Sequence, residues 1–432
     1  MFCTETINHI ENPLTPSPCP FPNAAKTSRA KGTLFLHQKM AKSFFCFLCF
    51  LLLQIVTTQS HLSGGVSISI GGVRGAVWIG RGITAPPDSK QSRVYTALQA
   101  WKSAITDDPN MVLDTWVGSN VCGYTGVFCV DPQDGLGDPT GPTIAGIDLN
   151  HANLQGVLVK ELSLVTDMSL LHLNSNRFTG VIPDTFKDLP FLTELDLSNN
   201  QFSGPFPSPS LLIPNLEFLD LRFNNFSGPI PEAIFDTRFD AIFLNNNQFE
   251  GQIPSNLGNS PASVITLANN RFSGNIPFSL ANVGPRLKEI LFVNNQLTGC
   301  IPEGIGFWQD LRVLDVSRNS LSGHLPGSIS CLNDIEVLNL AHNRFSGELS
   351  DLVCSQGSLV ELTVTSNFFS DLGHECGKLS NRNVHFDFSG NCFPWQQRQR
   401  LEPECSVIPR GGLNCPRIPG SRPIFCGAFD VT

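Results

Sequence analysis

Asp196 and Asp220 each sit at the centre of a Leu-Asp-Leu tripeptide, and Glu194 stands two residues before the first. Carboxylates brought together by a fold can do general acid–base chemistry. Here the phrase around them recurs down the chain, so a repeating fold spaces them and they do not form a catalytic pair. The nine histidines are scattered, no nucleophile recurs beside them, and neither GxSxG nor HExxH occurs. None of the ten cysteines beyond residue 60 has zinc-type CxxC spacing, and the Gly-rich stretch 61–85 lacks GxGxxG and Walker patterns. The expectation is a protein that is not an enzyme, with no catalytic residue, no cofactor and no metal. The chemistry left is recognition.

The repeating element is set by asparagine. Asn176, Asn200, Asn224, Asn247, Asn270, Asn295, Asn319, Asn343, Asn367 and Asn391 fall at intervals of 23 to 25 residues. They close phrases such as LHLNSN, LDLSNN, LDLRFN, IFLNNN and LNLAHN, the signature of a leucine-rich-repeat solenoid. An eleventh unit opens at Ile147 with Ala152 in place of the asparagine, as expected of a terminal repeat with one neighbour. The fold expected is an α/β solenoid, a leucine-rich-repeat horseshoe with disulfide-bonded N- and C-terminal caps. The period of two turns Leu195 and Leu197 inward and Asp196 outward, which lays a parallel sheet along the concave side. The asparagines are expected to form a structural ladder, each amide bonding backbone groups that the turn leaves unpaired. Two residues after each comes Phe178, Phe202, Phe226, Phe249, Phe272, Leu297, Leu321, Phe345, Phe369 or Phe393, a stacked core column in a chain of 32 Phe and two Tyr. Gly-x-Ile-Pro or a variant follows, Gly allowing a tight turn and Pro stopping a helix.

The alternation exposes one set of strand residues on the concave face. Its candidate ligand-binding members are Glu194, Asp196, Asp220, Arg222, Phe243, Leu291, Val293, Val313 and Asp315. Asp196 and Asp220 are expected side by side as an acidic patch near Glu194, next to an apolar stretch of Phe243, Val264, Leu291, Val293, Val313 and Val337. An apolar band flanked by carboxylates suits a basic, partly apolar peptide. Eleven units at about 4.8 Å per strand give an arc of roughly 50 Å, better matched to a peptide or protein than to a metabolite.

Met40-Ala-Lys-Ser followed by the apolar run Phe44–Val56 reads as a secretory signal. The division expected is 1–39, an upstream extension or leader; 40–60, signal peptide; 61–87, Gly-rich arm; 88–146, N-terminal cap; 147–395, eleven repeats; and 396–432, a Cys-containing C-terminal cap and tail. The cap helix spans Arg93–Ile105 by its apolar spacing. Ten cysteines suit an oxidising compartment. Cys122–Cys129, Cys354–Cys376, Cys392–Cys405 and Cys415–Cys426 read as local pairs, leaving Cys300–Cys331. Asn225-Phe-Ser227 is a glycosylation sequon. The formal net charge of −9 disfavours nucleic acid and favours basic partners.

The asparagine phrase, Gly-x-Ile-Pro and WVGSNVCGYTGVFC together resemble the plant-specific class of leucine-rich repeats. YTALQAWKSAITDDPN, AGIDLNHANLQG, LHLNSNRFTG, FLDLRFNNFSG and DAIFLNNNQF resemble the repeat domain of plant leucine-rich repeat extensins, the LRX and pollen extensin-like proteins, from about Arg93 to Cys415. The resemblance implies an apoplastic, cell-wall protein that binds basic cysteine-rich peptides of the rapid alkalinisation factor type, forms homodimers and serves wall growth. The Ser-(Pro)n tail of that family is missing, which puts wall anchoring in doubt and favours a tailless relative. Two alternatives share the fold: an inhibitor of a wall-degrading enzyme such as polygalacturonase, and a soluble co-receptor for a membrane kinase. No stable membrane insertion is expected.

Overall fold

The structure is a computed structural model describing residues 89–131, 142–279, 286–394 and 396–407, with Cys415 and Cys426. The expected leader, signal segment and Gly-rich arm, and most of the tail, lie outside the described residues.

Alternation builds the first sheet. Leu195 and Leu197 are fully buried, as are Leu171 and Leu173, and Ile242 and Leu244. The strands carrying them pair in parallel, with Leu171 opposite Leu195, Leu195 opposite Leu219 and Ile242 opposite Leu219. Twelve strands join this way among the described residues, from Val127–Val130, antiparallel to Thr143–Asp148, to His385–Asp387. Each turn then passes through one left-handed residue, Asn199 at φ 54° or Asn246 at 58°, a conformation asparagine tolerates well.

The following asparagine ties that turn to its neighbours. Asn200 Nδ2 donates to the carbonyls of Leu173 (2.8 Å) and Leu197 (3.2 Å), while its Oδ1 accepts the Phe178 N–H at 2.9 Å. One amide thus holds two successive units, and the pattern continues to Asn391, which donates to Val364 O and accepts Phe369 N–H.

The phenylalanine column lies on a second sheet, which the sequence pattern did not announce. Eleven short strands form it, among them Arg177–Gly180, Gln201–Gly204 and Asn225–Gly228. Their inward rings stack from Phe178 through Phe202, Phe226 and Phe249 to Phe272, with Trp101 of the N-terminal helix Lys90–Ala104 capping the stack, successive centroids being 6.0, 6.2, 6.3, 6.1 and 6.4 Å apart from Trp101 onward. Leu297 and Leu321 interrupt the column, which resumes at Phe345, Phe369 and Phe393. The glycines that end strands such as Arg177–Gly180, Gln201–Gly204, Asn225–Gly228 and Gln296–Gly299 have positive φ. At Gly299 (φ 74°) the positive φ alone disfavours a side chain, and an added Cβ would also push aside the exposed Asn275 amide. Short 3-10 turns such as Asp184–Asp188 and Glu303–Phe307 then return the chain along the convex side.

The helix at the N-terminal end spans Lys90–Ala104 and starts three residues earlier than its apolar spacing indicates, because Ser89 caps it by accepting the Ser92 N–H. Its buried Val94, Ala97, Leu98 and Trp101 cover the first repeat, and Trp101 meets Trp116 edge-on at 5.8 Å. Disulfides Cys122–Cys129, Cys354–Cys376 and Cys392–Cys405 are local. The other two correct the sequence reading: Cys300 bonds Cys415 and Cys331 bonds Cys426, in place of Cys300–Cys331 and Cys415–Cys426. The tail doubles back onto repeats far behind it, so nearness in sequence misjudged the pairing.

Candidate ligand-binding face

The parallel register lines up two outward columns on the concave sheet. One runs Leu170, Glu194, Phe218, Ala241, Val264, Glu289, Val313 and Val337. The other runs His172, Asp196, Asp220, Phe243, Thr266, Leu291, Asp315 and Asn339. Asp196 and Asp220 are therefore neighbours, as the alternation requires. They are not an exposed acidic patch: Asp196 is 4% exposed and Asp220 is 0% exposed. Two residues further along each strand, an outward side chain folds over the carboxylate. Ser198 donates both its N–H and its hydroxyl to Asp196 Oδ1, at 2.9 and 2.6 Å. Arg222 donates its N–H to Asp220 Oδ1 at 3.0 Å and sets Nε 2.9 Å from Oδ2, an ion-pair contact without an aligned hydrogen bond.

Burial is the main cause of Asp220's shift, and the nearby Asp196 charge adds to it. Together they outweigh the opposing pull of Arg222 and its N–H and push the carboxyl up to about 8. His172 lies on the neighbouring strand with Nε2 3.0 Å from Glu194 Oε2. Burial alone disfavours its imidazolium, but the Glu194 hydrogen bond and the charges of Glu194, Asp196 and Asp148 win, and its pKa rises above 6.5.

Asp315 is internally engaged as well, accepting from Ser317 N–H at 2.8 Å and from Asn339 Nδ2 at 2.9 Å. Glu194 remains half-exposed on the first column, paired to His172. Phe218, Phe243, Val264, Leu291 and Val293 form the half-buried apolar band, with Phe218 and Phe243 centroids 5.6 Å apart. Val313 falls out of that band because it is buried. The Arg222 guanidinium carbon stands 4.9 Å from the Phe243 ring centroid.

Two couplings escaped the sequence reading. Arg222 reaches Asp220 because residues two apart share a strand face, and His172 reaches Glu194 because adjacent repeats stack. Both follow from the period of two and the repeat spacing. Ser198, Asp196 and His172 do not make a hydrolytic triad: Ser198 has no exposed surface and its hydroxyl is bonded directly to Asp196. Among the described residues no three His, Cys, Asp or Glu side chains are arranged to hold a metal, and no helix is long and apolar enough to cross a membrane. What this surface offers is shape, an apolar band and a few fixed charges.

Comparison with known proteins agrees with that architecture. Leucine rich repeat models match residues 166–226 and 285–345, and a leucine rich repeat N-terminal domain model matches 95–130. Leucine-rich repeat extensin-like protein 7 of Arabidopsis thaliana is 52% identical over 355 residues, covering 81% of this chain and 78% of that protein. The chain belongs to the leucine-rich repeat extensin-like family. It is 55% identical to the pollen-specific leucine-rich repeat extensin-like protein 3 of Arabidopsis thaliana over 75% of its length, which spans 44% of that relative. The match to leucine-rich repeat extensin-like protein 4 covers 19% of that protein, and the match to protein 6 covers 47%. The ectodomain of the Arabidopsis receptor kinase HAESA, solved with an IDA peptide hormone ligand, is 27% identical and superposes with a TM-score of 0.58 over 70% of this chain and 50% of its own.

Proposed function

We propose that this chain is a secreted extracellular protein of the cell wall that binds a peptide along its concave face. The ligand is a basic, cysteine-rich signalling peptide of the rapid alkalinisation factor type, acting in wall growth. The observation that carries this reading is the half-exposed apolar band Phe218, Phe243, Val264, Leu291 and Val293 on the outward face of the sheet, with Glu194 beside Phe218 and Glu289 beside Val264. Side chains of an extended peptide pack on such a band, and the flanking carboxylates favour lysine and arginine beside it. The peptide-hormone ligand of the HAESA ectodomain supports a peptide as the class of partner. Ten cysteines in five disulfides agree with export through an oxidising compartment. Asn225, exposed at the start of strand Asn225–Gly228, is accessible for a glycan on the flank, clear of the concave columns.

The test is titration of the disulfide-intact protein with a panel of basic cysteine-rich plant peptides at low and moderate salt. Tight binding that weakens with salt and is lost in Leu291→Asp is the expected outcome. Absence of binding by a folded, monodisperse sample, or full affinity in Leu291→Asp, would refute the assignment. Inhibition of a polygalacturonase in its place would move the chain to the enzyme-inhibitor class.

A further inference from the structure

The concave face holds a basic group where its sequence suggests an acidic one. Arg222 Nε rests 2.9 Å from buried Asp220, and the guanidinium carbon lies over the Phe243 ring, 4.9 Å from its centroid. Phe218 in turn braces Phe243. One edge and one face of the fork are thus held by neighbours, while the side chain keeps 28% of its surface in solvent. Among the described residues no further carboxylate is bonded to its two Nη nitrogens. A guanidinium fixed this way loses little freedom when it binds an anion through two parallel N–H groups.

Asp220 compensates that charge poorly. Its carboxyl, pushed up to about 8 mainly by burial, is largely protonated below that pH and so leaves the Arg222 charge uncompensated. The next residue adds another aromatic ring. Phe223 takes the left-handed conformation that every repeat has at this position (φ 53°), and 47% of its surface is exposed, where the turns on either side carry Asn199 and Asn246. The result is a fixed cation with Phe218 and Phe243 beside it and Phe223 at the rim.

We propose that Arg222 is the docking point for the free C-terminal carboxylate of a peptide whose last side chain is apolar and packs against Phe218 and Phe243. This rests on the concave-face reading above and adds the chain end that the face recognises. The band continues over Val264 and Leu291 on the next strands, which gives the preceding side chains of the same peptide a surface. A polyuronate would supply carboxylates too, but Glu194 on one side and Glu289 on the other repel a string of them.

The probes are acetyl-Leu-Phe as free acid and as amide, and trigalacturonate, each titrated into the full chain and its Arg222→Gln and Arg222→Lys variants. The free acid is expected to bind at least about tenfold tighter than the amide, and Arg222→Gln should erase that preference. Arg222→Lys keeps a cation beside Asp220 for folding but lacks the fork, so most of the preference should go there too. Equal affinity for acid and amide, or an undiminished preference in either variant, would overturn the anchor. Trigalacturonate binding tighter than the dipeptide acid and dependent on Arg222 would overturn the peptide assignment. A basic panel peptide that loses affinity in Leu291→Asp but not in Arg222→Gln would leave the concave-face reading standing and remove only the carboxylate anchor.

Discussion

Asn200 shows how much of this fold rests on single amides. Its side chain satisfies the Leu173 and Leu197 carbonyls and the Phe178 N–H, all buried groups. Asn200→Ala should therefore cost about 2–4 kcal/mol, more than one net hydrogen bond, because partners are orphaned. Chemical denaturation that shows a loss under about 1 kcal/mol would mean the turn repairs itself. The asparagine ladder was legible in the sequence, since only a repeated structural demand spaces one residue type so evenly. The state of Asp196 and Asp220 was not. Alternation places both on the outer face, but it says nothing of the Ser198 and Arg222 side chains that fold over them. Asp220 also makes stability depend on pH. Its folded pKa of about 8 lies above the ordinary aspartate value of 3.8, so between those values the native state holds a proton that the unfolded chain has released. Stability from this group is therefore present at acid pH and declines as pH rises through 8. The melting temperature of Asp220→Asn relative to wild type should grow more favourable from about pH 5 to pH 9. A flat difference would show that Arg222 keeps the carboxylate ionised.

At the scale of elements, the two sheets divide the work. The concave strands carry the half-exposed apolar band and its neighbouring charges, and the second sheet carries the ring column. Phe226 stacks on Phe202 and Phe249 at 6.3 and 6.1 Å and is almost wholly buried. Phe226→Ala should destabilise the protein by about 3–5 kcal/mol, measured by thermal or urea unfolding. Leu297→Ala, outside the stacked rings, should fall at or below the lower end of that range. Equal losses would show that ring stacking adds nothing beyond volume. The column itself was readable two residues after each asparagine, interruption included. Its strands were not, because with one face buried and runs of only four residues such as Gln201–Gly204, they read as turn. The cap helix was readable except at its start, which Ser89 sets by a side-chain bond and not by apolar spacing.

For the whole molecule, the decisive feature is the tail. Cys415 and Cys426 cross-link to positions 115 and 95 residues back. Local pairing was the natural sequence expectation, since five disulfides leave many connectivities and nothing in the spacing of Cys415 shows that it returns to Cys300. The closed loops are long, so a Cys331→Ser, Cys426→Ser double variant should lose about 2–4 kcal/mol. The loss should appear first as faster exchange of backbone amides from Gly327 to Asn343, read by hydrogen exchange. Unchanged protection there would mean the tail is a passenger. The cross-links also decide how the array would carry load. A pull on the chain beyond Cys426 passes through sulfur into Cys331 and runs on toward the N-terminus, so the units from Val337 to Asn391 lie outside the strained path. Between Cys331 and Cys300 the load divides, part along the backbone and part through Cys415. That doubled stretch spans Leu321, one of the two breaks in the aromatic column. Tension is shared there between two paths, and the terminal units, the ones most prone to fray, are spared the force.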